Sequence, residues 1–378
     1  MPRRILYPAS FIQTVPVPER WDYRPLPGLI HRANPEQRDK EIERLEAWYR
    51  TLNSGAKTDL KHRLRSLSFR DFWSAYYELM TAQIALGLRA TSVRHAPLLK
   101  GKRPDFRLKF SPGSRHIWEV AAAYQTLERE SDDYKAHELA NWLNRTFQHR
   151  WSVLVDAEQF GHGGVSYSAA KPKIQAWLNR LEHGGPRLLE LRQPVINCQL
   201  RLTASSSQLR DEPGPIVRAL MGQGGNLTAT ERLRNALRKK VKKYSVAKNM
   251  NIPLVVFLYE GNFGHISRED VEWALFGQWH ISIPSGRLGV DPGGLFMPAP
   301  NGNSQNTRLS AVVYCRREWK DNAVHATMFI YHHPAARNCI PLDFFSPLPQ
   351  CRIIIRDTEL EQIWENGPEG EIKIFRLD

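Results

Sequence analysis

Three carboxylates stand at positions from which they could act together on a phosphate. Glu78 lies in a long segment of helical periodicity, Asp105 follows a proline at the start of a short alternating run, and Glu119 falls inside the next run, "RHIWEVAAAY" (115–124). Carboxylates on neighbouring strands of a hairpin can converge within a few ångströms. They repel unless a cation sits between them, and oxygen donors with open water positions suit Mg²⁺ or Mn²⁺. Such a cation lowers the pKa of water and clamps a phosphate oxygen during in-line attack. Each residue also has an ordinary reading: a solvated helix Glu, a turn Asp, a strand Glu paired with a nearby Arg. Their order along the chain is what makes them a set.

The charge around them points the same way. The 378 residues hold 53 Lys and Arg against 39 Asp and Glu, a net charge of +14. That excess favours a polyanionic partner, although it also serves as a solvated surface. It is concentrated twice. Arg89, Arg94, Lys100, Lys102, Arg103, Arg107, Lys109 and Arg115 surround Asp105, the one acid between residues 89 and 116. Strand alternation puts Arg107 and Lys109 on the Asp105 face. The second concentration is the segment Thr228–Lys248, with eight Lys or Arg and the single acid Glu231.

Positioning these groups falls to a series of elements. Ser68 and Asp71 form an acidic variant of a capping box before Phe72, Tyr76, Leu79 and Leu86, which predicts a helix ending at Gly87. Strands are expected at 91–97, 104–110 and 115–124, the last two joined by the turn "SPGS". Helices near 131–148 and 173–182 alternate with strands at 151–155 and 194–204, an α/β pattern. A loop is expected over 205–226, then a basic helix begun by Thr228 and Glu231, then the apolar strand "PLVVFLY" (253–259). Residues 1–35 read as a surface arm followed by a helix over 36–53. Residues 281–307, with five Gly and four Pro, read as an irregular linker before strands at 308–315 and 325–333.

The order helix-Glu78, then "KRPDF", then "IWEVA" resembles the PD-(D/E)xK nuclease superfamily. More narrowly, "ELMTAQIALGL", "VRHAPLLKGKRPDFRL", "LRKKVKKY", "IPLVVFLY" and "YHHPAARN" are similar to an uncharacterised bacterial group of restriction-nuclease-like proteins, over about residues 67–340. The resemblance implies a restriction-endonuclease-like α-β-β-β-α-β core, a mixed sheet flanked by helices. It divides the chain into an N-terminal helical arm (1–66), the core (67–280) and a β-containing C-terminal extension (281–378). It further implies a Mg²⁺- or Mn²⁺-dependent endonuclease with Asp105, Glu119 and Glu78 as metal ligands. The substrate would be DNA ahead of RNA, and the setting restriction or antiviral defence, with a second copy or defence-complex proteins as partners.

One departure matters. The superfamily places Lys two residues after the Glu, where this chain has Ala121. On a helical wheel of about 100° per residue, Leu233, Leu237, Val241 and Tyr244 share a face and Lys240 lies at its edge, while Lys239, Lys242 and Lys243 point away. A core-edge lysine needs a charge partner unless its stem runs out to water. Lys240 is therefore the candidate for the missing lysine. Lys100, Lys102, Arg103, Arg107, Lys109, Lys239, Lys242 and Lys243 are the candidate phosphate contacts. An inactive nucleic-acid-binding subunit, or an interaction scaffold, fits the same pattern.

Other classes are disfavoured. The longest apolar run, Ile252–Tyr259, is too short for a bilayer, and the N-terminus lacks an apolar leader core. Four scattered cysteines signal neither zinc nor a disulfide framework, so a reducing cytoplasm is expected. His162, His332 and His333 have no ligand spacing, and "GQGGN" lacks the Lys-Ser/Thr of a phosphate loop.

Overall fold

The computed structural model describes residues 4–18, 24–31, 34–99, 101–111, 113–123, 127–160, 167–192, 195–205, 210–220, 229–244, 251–260, 266–282, 287–290, 293–299, 302–320, 323–356, 359–367 and 372–376. The chain forms two compact units. The first comprises Met1–Thr14, Arg32–Tyr124 and Leu227–Asp378, and the second Val15–His31 and Gln125–Asn226. These boundaries differ from the division at 66 and 280. The larger segment of the second unit, Gln125–Asn226, enters between Glu119 and Lys240, and the residues after 280 stay with the first.

In chain order the helices begin with α1 (Ala9–Ile12), α2 (Pro25–Ile30), α3 (Pro35–Thr51), α4 (Ser54–Leu64) and α5 (Phe69–Gly87). The meander β1 (Ser92–His95), β2 (Phe106–Lys109) and β3 (Arg115–Ala123) follows. The second unit supplies α6 (Leu127–Thr146), β4 (Gln148–His149), β5 (Ser152–Glu158), α7 (Tyr167–Glu182), β6 (Leu188–Leu191), β7 (Gln199–Ser205), β8 (Gly214–Pro215) and β9 (Val217–Leu220). The first unit resumes with α8 (Ala229–Lys243), β10 (Leu254–Glu260), α9 (Arg268–Phe276), β11 (Trp279–Ser282) and β12 (Arg287–Val290). It ends with β13 (Leu309–Lys320), β14 (Ala323–His332), β15 (Gln350–Arg356), β16 (Glu359–Glu365) and β17 (Ile372–Arg376).

The first unit is mixed α/β, built on one large mixed sheet flanked by helices. Its strand order is β1-β2-β3-β10-β13-β14-β15-β16-β17-β12-β11, with β10 parallel to both β3 and β13. Such a central strand is covered on both faces, which is why Leu254–Tyr259 is an unbroken buried apolar run. One face carries Leu254, Val256 and Leu258 with Ile117, Ala121 and Ala123 of β3, packed under Leu233 and Leu237 of α8, Tyr244 just beyond it, and Val271 and Leu275 of α9. The other face meets α5. There Tyr77 stacks on Tyr259 at 4.4 Å between ring centroids, and Thr81 shares a 2.7 Å hydrogen bond with the Tyr259 hydroxyl. Helix α5 starts where expected, because the Ser68 hydroxyl accepts the Asp71 N–H at 3.4 Å.

The second unit is a smaller α/β body. Its four-stranded sheet, β6-β7-β5-β9, buries Val153, Val155, Leu200 and Leu202 against Leu139 and Leu143 of α6 and Trp177 and Leu178 of α7. Strands β8 and β9 lie in what the sequence suggested was a loop over 205–226.

Two other expectations are corrected. The N-terminal residues are not a surface arm: Leu6 and Tyr7 are fully buried, and the Glu46 carboxylate on α3 accepts the backbone N–H groups of Ile5, Leu6 and Tyr7. A buried carboxylate attracts such donors because its charge must be hydrogen-bonded. The 281–307 region is not wholly irregular, since β11 and β12 pair antiparallel at its start, and β15–β17 continue the same sheet. Thr228, expected to start α8, lies outside the described residues. Among the described residues no helix is long and apolar enough to cross a membrane.

Candidate functional site

The pairing of β2 with β3 explains why two acids meet. Phe106 faces Trp118 and Arg107 faces Ile117, so one step further along the register sets Asp105 opposite Glu119. Opposed residues of an antiparallel pair project to the same side of the sheet. Here that is the side covered by α8, because Ile117 and Ala121, two residues either side of Glu119, pack under Leu233 and Leu237.

Lys240, on the last turn of α8, donates to both carboxylates, at 2.8 Å to Asp105 Oδ2 and 2.7 Å to Glu119 Oε2. Asp105 Oδ2 also accepts the Val120 N–H at 2.7 Å. Glu119 Oε1 accepts from Lys243 Nζ at 2.8 Å and from the Tyr244 hydroxyl. The Glu119 side chain is fully enclosed, whereas those of Asp105 and Lys240 are 21% and 23% exposed. The site therefore opens to solvent on the Asp105–Lys240 side. Arg308, just before β13, donates to the Tyr244 carbonyl and fastens the helix end that carries both lysines.

The electrostatics follow from this enclosure. Burial alone would raise the Asp105 carboxyl, but Lys240 and the Val120 N–H hold it below its usual range. Burial and the neighbouring Asp105 charge push Glu119 upward, against the pull of the lysines. Burial opposes the Lys240 ammonium, yet the two carboxylates more than offset it and raise its pKa. Burial and Glu119 together raise the Tyr244 phenol, so it stays a donor.

Glu78 is not drawn into this group. Its carboxylate is gripped by Arg63 of α4, Nη1 to Oε1 at 2.7 Å and Nη2 to Oε2 at 2.9 Å, and by His95 Nε2 of β1 at 2.6 Å. Helix α5 packs on the face of the sheet opposite α8. His95, opposite Phe106 in the ladder, projects to the α5 side, and Glu78 joins it there. Among the described residues no three His, Cys, Asp or Glu side chains are grouped to hold a metal. The two convergent carboxylates are oxygen donors of the kind that Mg²⁺ or Mn²⁺ takes, and the Lys240 ammonium stands between them.

The basic residues divide into those spent inside the site and those turned outward. Lys243 does not point away as the wheel suggested. Its four-carbon stem reaches round the helix end to Glu119, so it is not a free phosphate contact. Lys239 and Lys242 are exposed on α8. On the sheet, Arg94 pairs with Arg107 and Lys109 with Arg115, so these four cations share the Asp105 face across β1, β2 and β3. Arg94, Lys109 and Arg115 are exposed and Arg107 half-buried, and among the described residues none of the four has an acidic partner. Arg103 is exposed and Lys102 half-buried, while Lys100 lies outside the described residues.

Sequence reasoning missed Tyr244 as a donor to Glu119, and it put Arg94 and Arg115 in the basic cluster around Asp105 without naming them as phosphate contacts. The register sets both beside Arg107 and Lys109. Compared with protein-family models, curated proteins and solved structures, the chain gives no match.

Proposed function

We propose that the first unit is a divalent-metal-dependent nuclease that hydrolyses phosphodiester bonds, in DNA ahead of RNA. The observation that carries this reading is the Asp105–Glu119–Lys240 cluster: two carboxylates from adjacent strands and a lysine from the covering helix, meeting at an opening beside a basic sheet face whose cations have no acidic partner among the described residues. The order α5-β1-β2-β3, then α8 and β10 with β10 parallel to β3, supports a restriction-endonuclease-like core interrupted by the second unit.

In this reading Asp105 and Glu119 hold Mg²⁺ or Mn²⁺, which would supply Lewis acidity toward a phosphate oxygen and lower the pKa of water. Lys240 takes the role that Ala121 leaves vacant, presenting its ammonium to the charge that grows on the attacked phosphate. Tyr244 and Lys243 hold Glu119 in place through its other oxygen. Arg94, Arg107, Lys109 and Arg115, with Lys102, Arg103, Lys239 and Lys242, bind the backbone and bring a phosphate to the opening. Glu78 acts structurally, tying α5 to α4 and β1.

A binding-only subunit is the second reading, favoured by Ala121 and by carboxylates already neutralised by lysines. Incubating the purified chain with duplex DNA and with RNA, each with Mg²⁺, Mn²⁺ or EDTA, separates the two. Metal-dependent cleavage lost in Asp105→Asn and Glu119→Gln supports the nuclease. Binding without cleavage under every condition supports the second reading.

A further inference from the structure

We infer that Lys240 couples cation binding to phosphodiester binding: its ammonium and a divalent cation compete for the space between Asp105 and Glu119, and the displaced ammonium takes the substrate phosphate. The inference rests on the nuclease reading above and adds an order of events to it.

The argument starts from two distances. Lys240 Nζ stands 2.8 Å from Asp105 Oδ2 and 2.7 Å from Glu119 Oε2, drawing one hydrogen bond from each. A Mg²⁺-sized cation binds carboxylate oxygens at about 2.1 Å. Sharing those same two oxygens would put it within about 4 Å of the ammonium, where like charges repel strongly even at the effective dielectric of a protein. One of the two cations must leave.

Lysine is the one able to move. It sits on the last turn of α8, its side chain is 23% exposed, and four rotatable bonds link the ammonium to the helix. Leaving strips it of both its partners. The nearby Lys243 cannot replace them, and its own contact is with the other oxygen of Glu119. An ammonium set loose there can turn to water, but it does so at the mouth of a site walled by Arg and Lys, and a phosphodiester is the anion that relieves the crowding of like charges. Without nucleic acid, therefore, Lys240 opposes the metal; with a phosphate present, both cations are accommodated. Linkage makes this reciprocal, since whatever factor the phosphate adds to metal affinity the metal adds to phosphate affinity.

The test is calorimetric titration of Mn²⁺ into the full chain, with and without a cleavage-resistant phosphorothioate duplex. Wild type, Lys240→Met and Lys243→Met are compared. In wild type the duplex should tighten Mn²⁺ binding by a factor within roughly 5–150, the usual span of such couplings. Lys240→Met should bind Mn²⁺ more tightly than wild type in the absence of duplex, by a similar factor, and lose most of the enhancement. Lys243→Met should keep the enhancement. Should Lys240→Met not fold, Lys240→Gln takes its place. Mn²⁺ binding by Lys240→Met no tighter than by wild type, or a wild-type affinity indifferent to the duplex, overturns the coupling and leaves the nuclease reading standing. Failure of wild type to bind Mn²⁺ in either condition removes the metal site and the coupling together.

Discussion

If the proposed function holds, the cations of the sheet face make a quantitative demand on nucleic-acid binding. Arg94, Arg107, Lys109 and Arg115 lie on one side of β1–β3 with no acidic partner among the described residues, so each is available to neutralise a phosphate. Every phosphate neutralised on duplex DNA contributes about 0.9 to the slope of log affinity against log salt. Replacing all four with Gln should flatten that slope by about 3.6. Between 50 and 200 mM salt, a fourfold change, the wild-type affinity should then fall roughly 150-fold further than that of the variant. The assay is fluorescence anisotropy with a labelled duplex, run on a Glu119→Gln background so that cleavage does not intrude. Three of the four side chains are exposed, so circular dichroism should show an unchanged fold. A slope reduced by less than about one unit would mean that the face does not bind the backbone, and the track leading to Asp105 would have to be abandoned.

Three further outcomes are expected. Glu119→Gln should lower cleavage by about a hundredfold or more. It should cost only about 2 kcal/mol of stability, because the two lysines facing it are each about a quarter exposed and can turn to water; wild-type turnover would contradict the site. Arg63→Ala should destabilise the chain by about 3 kcal/mol in denaturant titration, by leaving the buried Glu78 without its two-pronged partner. It should leave Mn²⁺ affinity unchanged, and weakened Mn²⁺ binding would return Glu78 to the metal site. Burial pushes the imidazoles of His116 and His333 down to about 4. The unfolded chain takes up those protons near pH 6.5, so stability is complete above that pH and falls as the pH drops toward 4. The expected loss is about 3 kcal/mol per histidine, read as the shift of denaturant midpoint between pH 7.5 and 4; a constant midpoint would refute it.

How legible these features were in the sequence depended on how local their causes are. Helix α5, the β1–β3 meander, α8 and β10 follow from caps, turns and periodicity, and the register that sets Asp105 against Glu119 follows from the short β2–β3 connection. Lys240 could be singled out because an otherwise apolar helix edge contained one cation. A helical wheel turns Lys243 outward because it locates the Cα and says little about where a long stem ends. The partners of Glu78 are not legible in the sequence, since Arg63 and His95 are brought to it by packing alone. The second unit leaves no separate mark in the sequence, because strands that join a new sheet have the same alternation as strands that extend an old one. Likewise the glycines and prolines near β11 and β12 concealed two short strands.

The insertion of Gln125–Asn226, the larger segment of the second unit, between β3 and α8 also sets an order of assembly. When β3 leaves the ribosome, its eventual neighbour β10 is more than a hundred residues from being made. The nascent meander must wait with an apolar strand edge unpaired and Glu119 without any of its donors. The long stretch Gln125–Asn226 is complete first, and it can collapse around its own core while the larger sheet is still a fragment. The slow step of folding should then be the parallel docking of β10 beside β3, a pairing of high sequence separation. Chaperones or aggregation would act on the chain at that stage.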